Sequence, residues 1–146
     1  MELYKLKDAA KQARKSKISD DDLCEAVARA EKGFIDGAIG KFLIKQRIGR
    51  SGDYRTIIVH KQGERAILLH MFAKNAQANL TPTEEKTYRE AAKVLAEFGG
   101  EHIKALISAG EWIEIDYDKH QKNVSERSAS VRASGDEGPP QGRRNR

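Results

Sequence analysis

Lys41–Leu80, KFLIKQRIGRSGDYRTIIVHKQGERAILLHMFAKNAQANL, threads cationic residues through three apolar runs. In the first run Phe42, Ile44 and Ile48 alternate with Lys41, Lys45 and Arg47. A period of two gives a strand one buried and one basic face. Arg50-Ser51-Gly52-Asp53 reads as a turn, and Tyr54 to His60 is rich in β-branched residues. Lys61-Gln62-Gly63-Glu64 has the composition of a second turn, so Arg65 to Ala73 returns antiparallel beside the run before it. The stretch predicts a three-stranded meander with cations planted on one face.

Upstream, Leu3, Tyr4, Leu6, Ala9, Ala10 and Ala13 lie among lysines in a mainly helical pattern over residues 3–16, which begins as strand or helix without a clear cap. Ser19 is a good N-cap, with Asp20, Asp21 and Asp22 at the positive end of the helix dipole. Leu23, Ala26, Val27 and Ala30 follow at helical spacing and Gly33 supplies a stop. These two helices, joined by Lys15 to Ile18, are expected to pair over one face of the sheet. Downstream, Thr81-Pro82-Thr83-Glu84 combines an N-cap threonine, a proline at the first helical position and a glutamate three residues after the cap. Tyr88, Ala91, Ala92, Leu95 and Phe98 form the apolar stripe of that helix, which Gly99-Gly100 is expected to end. A short helix with Ile103, Leu106 and Ile107 closes at Gly110, and Trp112 to Tyr117 alternates as a final edge strand. The expected class is α+β: N-terminal helices on a sheet of three to four strands, with C-terminal helices. Residues 1–118 would form one domain. Beyond Asp118 apolar periodicity gives way to Ser, Gly, Pro, Arg and Asn, so 119–146 reads as a disordered basic tail.

At 146 residues the chain can bury a real core without metals or disulfides. Its formal charge of +5 is unevenly placed. Residues 121–146 carry six Lys or Arg against three acids, a net +3. Between Lys41 and Arg55, Lys41, Lys45, Arg47, Arg50 and Arg55 face only Asp53, a net +4, so the rest of residues 1–120 is slightly acidic. A local basic patch of this kind implies an anionic partner, such as a phosphate backbone. The single cysteine, Cys24, forms no intramolecular disulfide, and a reducing, cytoplasmic setting is expected. The N-terminus has charges throughout and no apolar run like a signal peptide's, and no segment reaches the length of a membrane span.

The strongest constellation is Lys45, Arg47, Arg55 and Lys74, with Arg50, Arg65 and His70 behind them. Alternation puts Lys45 and Arg47 on one strand face, Arg55 opens the second strand, and Lys74 ends the third. RNA cleavage by 2′-hydroxyl attack needs a base, an acid and cations around the phosphorane. A lysine serves as base only when neighbouring cations or burial lower its pKa, and an arginine fork meets two phosphate oxygens at once. The plain alternative is a solvated basic sheet face. Asn75 could reach a base edge, and Asn79 is expected to cap. His60, His70, His102 and His120 show no metal-ligand spacing, and of these only His70 shares a strand face with Lys74. Asp20-Asp21-Asp22 is better read as helix-start charge than as a metal site, Cys24 as inert within a helix, and Tyr54 and Phe72 as core.

Ser51-Gly52-Asp53-Tyr54-Arg55-Thr56 and Phe72-Ala73-Lys74-Asn75, with Leu43-Ile44-Lys45-Gln46-Arg47 before them, resemble the HigB-like branch of the RelE/ParE toxin superfamily, whose members share S-G-G-Y-R-T, a hydrophobic strand and F-A-K-N. The helix entry at Ser19, Asp22, Leu23, Cys24, Ala26 and Val27 and the ending Ala109-Gly110-Glu111 are similar as well, so the resemblance runs from about Leu6 to Tyr117. It implies a small RelE-like fold with helices against a twisted antiparallel sheet, and a type II toxin–antitoxin toxin that cleaves mRNA on translating ribosomes and inhibits translation. It also implies a HigA-like helix-turn-helix antitoxin as partner, with no metal or small-molecule cofactor. By position, Lys45 and Arg47 would act at the scissile phosphate, Arg55 would stabilise the transition state, and Lys74 would hold the cationic place near the last strand's end. Lys41, Arg50, Arg65, His70 and Asn75 would contact RNA. The chain departs from the family in a short segment between Arg47 and Ser51, in Ala76-Gln77-Ala78 where relatives often carry charge, in lacking the catalytic tyrosine that some RelE members carry beyond this point, and in its long tail. Two other readings share the fold: a ParE-like inhibitor of DNA gyrase that cuts nothing, and a degenerate toxin that only binds its antitoxin.

Overall fold

The computed structural model describes residues 1–49, 51–75 and 80–120. In chain order it runs β1 (Glu2–Leu6), α1 (Lys7–Lys15), α2 (Asp20–Glu31), β2 (Gly37–Gly40), β3 (Leu43–Ile48), β4 (Tyr54–Lys61), β5 (Arg65–Ala73), α3 (Pro82–Leu95), α4 (Gly100–Ser108) and β6 (Trp112–Ile115). The predicted meander is β3–β4–β5, paired antiparallel throughout.

The sheet is larger than the sequence suggested. It has six strands in the order β2-β3-β4-β5-β1-β6. The first residues form a strand, not a helix: β1 pairs parallel to β5, with Leu3 opposite Ala66, and antiparallel to the edge strand β6. Tyr4 and Leu3 alternate between the two faces, a period hidden by the helical pattern that starts at Lys7. The four residues of β2 add the opposite edge, and its sequence GAIG, two glycines and an alanine around one β-branched residue, carries little strand signal.

Helices cover both faces. Leu3, Ile44, Ile48, Ile58, Leu68 and Met71 meet Ala9 and Ala13 of α1 and Leu23, Ala26 and Val27 of α2. On the other face Tyr4, Leu43, Ile57, Val59, Ile67 and Leu69 meet Ala92 and Ala96 of α3, Ile103 of α4 and Trp112. The helix starts follow the sequence. Ser19 and Thr81 each accept the N–H three residues on, and the side chains of Asp22 and Glu84 accept theirs in return. Gly33, at φ +90°, follows the end of α2. Gly99 and Gly100 do not end α3, which stops at Leu95; Gly99 is the N-cap of α4.

Candidate active site

Side chains from three strands converge where β3 ends, β4 begins and β5 ends. Lys45 and Arg47 alternate onto the face shared with α3 and α4, as do Arg55 and Ile57 of β4. Arg47 stands directly opposite Arg55, and Arg55 directly opposite Phe72. One step along, Lys45 is opposite Ile57, which is opposite His70. Lys74 comes next after the last β5 pair, its backbone N–H donating to the Asp53 carbonyl at 2.8 Å. The register thus sets Lys45, Arg47 and Arg55 on one face at this end of the sheet, and Lys74 lies just past the last β5 pair.

Gly52 organises the two arginines. At φ +67° it takes the left-handed conformation that the β3–β4 turn needs. Arg55 Nη1 donates to the Gly52 carbonyl at 2.6 Å and to the Tyr54 carbonyl at 3.2 Å. The Arg47 stem lies against the same glycine, its Cδ 3.7 Å from where a Cβ on Gly52 would stand. Lys45 runs past Gly37, which leaves room for the lysine stem at 3.5 Å. A hollow of about 460 Å³ opens beside this end, lined by Asp53, Tyr54, Ala73, Lys74 and Asn75.

The backbone of Arg47 is held by side chains. β2 pairs with β3 only as far as Lys45, so the outward backbone groups of Arg47 find no strand partner there. Asp36 Oδ2 accepts the Arg47 N–H at 2.8 Å, and Arg29 Nη2 donates to the Arg47 carbonyl at 2.6 Å. Arg29 and Asp36 also pair with each other at 3.4 Å. Sequence reasoning missed both residues, because nothing in the spacing of 29, 36 and 47 announces a shared strand edge.

His70 reaches the site through a β-bulge. The β4–β5 register shifts between Ile57 and Ile58, which leaves Leu69 as the extra residue and brings Leu69 and His70 to the same face. The imidazole stacks on Tyr88 of α3, with centroids 5.9 Å apart, and lies 5.7 Å from the Phe72 ring. Burial lowers its pKa, while the Glu84 carboxylate pulls the other way. In the sequence Tyr88 shows only as part of an apolar stripe.

Several expected contacts lie elsewhere. Lys41 is not on the basic strand face: Phe42, at φ +60°, breaks the alternation, and the Lys41 ammonium sits 5.2 Å from the Phe42 ring at the opposite end of the sheet. Arg65 caps α3, with Nη1 donating to the carbonyls of Leu95, Ala96 and Phe98, and Nε pairs with Glu2 at 3.1 Å. Both are remote from the arginine pair. Asn75 lines the hollow. Arg50, Asn79 and the tail from residue 121 lie outside the described residues. Phe72 is core, as expected, and Tyr54 packs against the core of the α1/α2 face. Among the other histidines, His60 pairs with Glu31, His120 with Asp21, and His102 packs on Phe98. Asp20 pairs with Lys5 and Asp22 completes the Ser19 cap. Among the described residues no helix is long and apolar enough to cross a membrane.

Fold and site together define a small α+β domain that presents arginines and lysines at one sheet end in an arrangement suited to an anionic substrate. Residues 1–115 match the model of a family described as RelE toxin of the RelE/RelB toxin–antitoxin system. The chain belongs to that family, and is a toxin-family member of a toxin–antitoxin module. Comparison with curated proteins and with solved structures gives no match.

Proposed function

We propose that the chain is an endoribonuclease that cleaves mRNA on the ribosome, of the HigB-like branch of its superfamily, and is neutralised in the cytoplasm by a HigA-like helix-turn-helix antitoxin. The observation that carries this reading is the register of Arg47 against Arg55 over Gly52. Like charges directly opposite on one sheet face repel, and a phosphate between them turns that repulsion into two charge-assisted contacts. As the 2′-oxygen attacks, negative charge builds on the phosphorane oxygens, where fixed guanidinium groups are worth most. Arg55 is the better fixed of the two, since the Gly52 carbonyl holds its Nη1. Lys45 and Lys74 flank the pair along β3 and after β5, and supply further cations for the backbone and the leaving oxygen.

Arg55→Ala is expected to lower the single-turnover cleavage of ribosome-bound mRNA by roughly 10²–10³-fold, the loss typical of one transition-state donor. Lys74→Ala is expected to lower it as well. Variants that cleave as fast as wild type would defeat the site assignment. Intact message with collapsing DNA topology would move the protein to a gyrase-directed activity.

A further inference from the structure

We propose that His70 is the general base of the site, taking the proton of the attacking 2′-hydroxyl. This rests on the ribonuclease reading above. The geometry comes from the bulge. Without the extra residue at Leu69, strand alternation could not put both Leu69, in the α3/α4 core, and His70 on one face. The chain keeps the bulge by satisfying its backbone: Thr56 Oγ1 donates to the His70 carbonyl at 3.2 Å, and Gln12 Oε1 accepts the Met71 N–H at 3.1 Å. His70 therefore lies one diagonal from Arg55 and two strands across from Lys45, a spacing of about 7–8 Å on the diagonal. One phosphodiester with its ribose spans that distance.

The ring is oriented on two sides, by Tyr88 of α3 and by Phe72 of its own strand. Its surroundings are mixed in charge: Glu84 and Tyr88 on α3, Ile57 opposite on β4, Arg55 on the diagonal and Lys45 beyond on β3. Burial outweighs Glu84 and keeps the imidazole neutral at pH 7, the form a base requires. In the step, the 2′-O–H bond breaks and its proton moves to the free ring nitrogen. The 2′-oxygen bonds phosphorus, the P–O5′ bond breaks, and the 5′-oxygen takes a proton from water, whose hydroxide then takes the proton from the imidazolium and restores the base. The products are a 2′,3′-cyclic phosphate and a 5′-hydroxyl.

Single-turnover cleavage of mRNA on ribosomes by the full chain, followed from pH 5 to 8, tests this. Wild type should lose rate as pH falls through a pKa below the ordinary 6.5 of histidine. His70→Gln should be slower by roughly 10²–10⁴-fold, lose the acidic limb and keep its affinity for the ribosome complex. Tyr88→Ala, which strips the burial from the ring, should move the limb to higher pH. A message with a 5′-bridging sulfur at the scissile bond needs no protonation of its leaving group; it should not rescue His70→Gln. Rescue by sulfur would make His70 the acid and overturn the proposal, as would a His70→Gln rate near wild type with the limb intact. If His70→Gln does not fold, an unmoved limb in Tyr88→Ala overturns it. When Arg55→Ala slows cleavage and His70→Gln cleaves like wild type, only the histidine assignment falls; a wild type that leaves message intact removes both.

Discussion

Gln46 is wholly buried within the strand that carries Lys45 and Arg47, and it has no apolar role there. Its Oε1 accepts the Asp36 N–H at 2.7 Å, and its Nε2 donates to the carbonyls of Ala26 at 3.0 Å and Phe34 at 3.2 Å. The side chain thus fastens β3 and the segment after α2 to the middle of the helix, and Asp36, in that segment, holds Arg47. Gln46→Leu keeps the volume and removes all three bonds, of which the one to Ala26 is buried and those to Asp36 and Phe34 are part-buried. With one buried bond at stake and the other two partners within reach of water, it should destabilise by about 1–3 kcal/mol. A urea midpoint unchanged from wild type would contradict this. The sequence held the signal, a polar residue at the position where alternation with Ile44 and Ile48 demands an apolar one. What spacing could not disclose was the partners, because they come from a helix and a loop up to twenty residues away.

Elements with local chemistry were the legible ones. The Ser19 and Thr81 caps, the Gly63 turn and the meander each depend on residues within a few positions of one another, so pattern alone located them. β2 was not legible, and β1 stayed open between strand and helix, because a strand of four or five residues is made by its neighbours: β1 is framed by β5 and β6, which follow it by some sixty and a hundred residues. The bulge at Leu69 was hidden for the same reason, since the backbone just after it, at His70 and Met71, bonds to Thr56 and Gln12. The two caps separate stability from site geometry. Ser19→Ala and Thr81→Ala should each cost about 1 kcal/mol of stability. Only Thr81→Ala loosens the turn that carries Glu84 and, one turn on, Tyr88 over His70. Thermal melts should therefore shift alike, whereas cleavage should fall further for Thr81→Ala. Equal activity in both variants would show that the α3 entry does not tune the site.

At the scale of the whole molecule, one sheet between two helix pairs makes two cores, and each encloses or abuts an acid that stays protonated when folded. Cys24 lies fully buried in the α1/α2 core, where burial and the nearby Asp20, Asp21 and Asp116 push its thiol from 9.0 up to about 12. Tyr117, packed against that core, is raised from 10.0 to about 12 by burial and then Glu31, and Tyr4 in the opposite core is raised equally by burial and its hydrogen bond to Glu2. A folded pKa above the unfolded one means that the folded state binds the proton more tightly. The stabilisation is then complete below the unfolded pKa and vanishes as pH rises through the folded value. Stability should therefore fall from about pH 9 towards 12, with tyrosine ionisation at 295 nm arriving together with loss of the far-ultraviolet dichroism. Cys24 titrates earliest in the unfolded chain, so Cys24→Ala should delay the onset to near pH 10, when Tyr4 and Tyr117 begin to act. An alkaline curve of the same shape in Cys24→Ala would mean that the buried thiol does not couple to folding in this range.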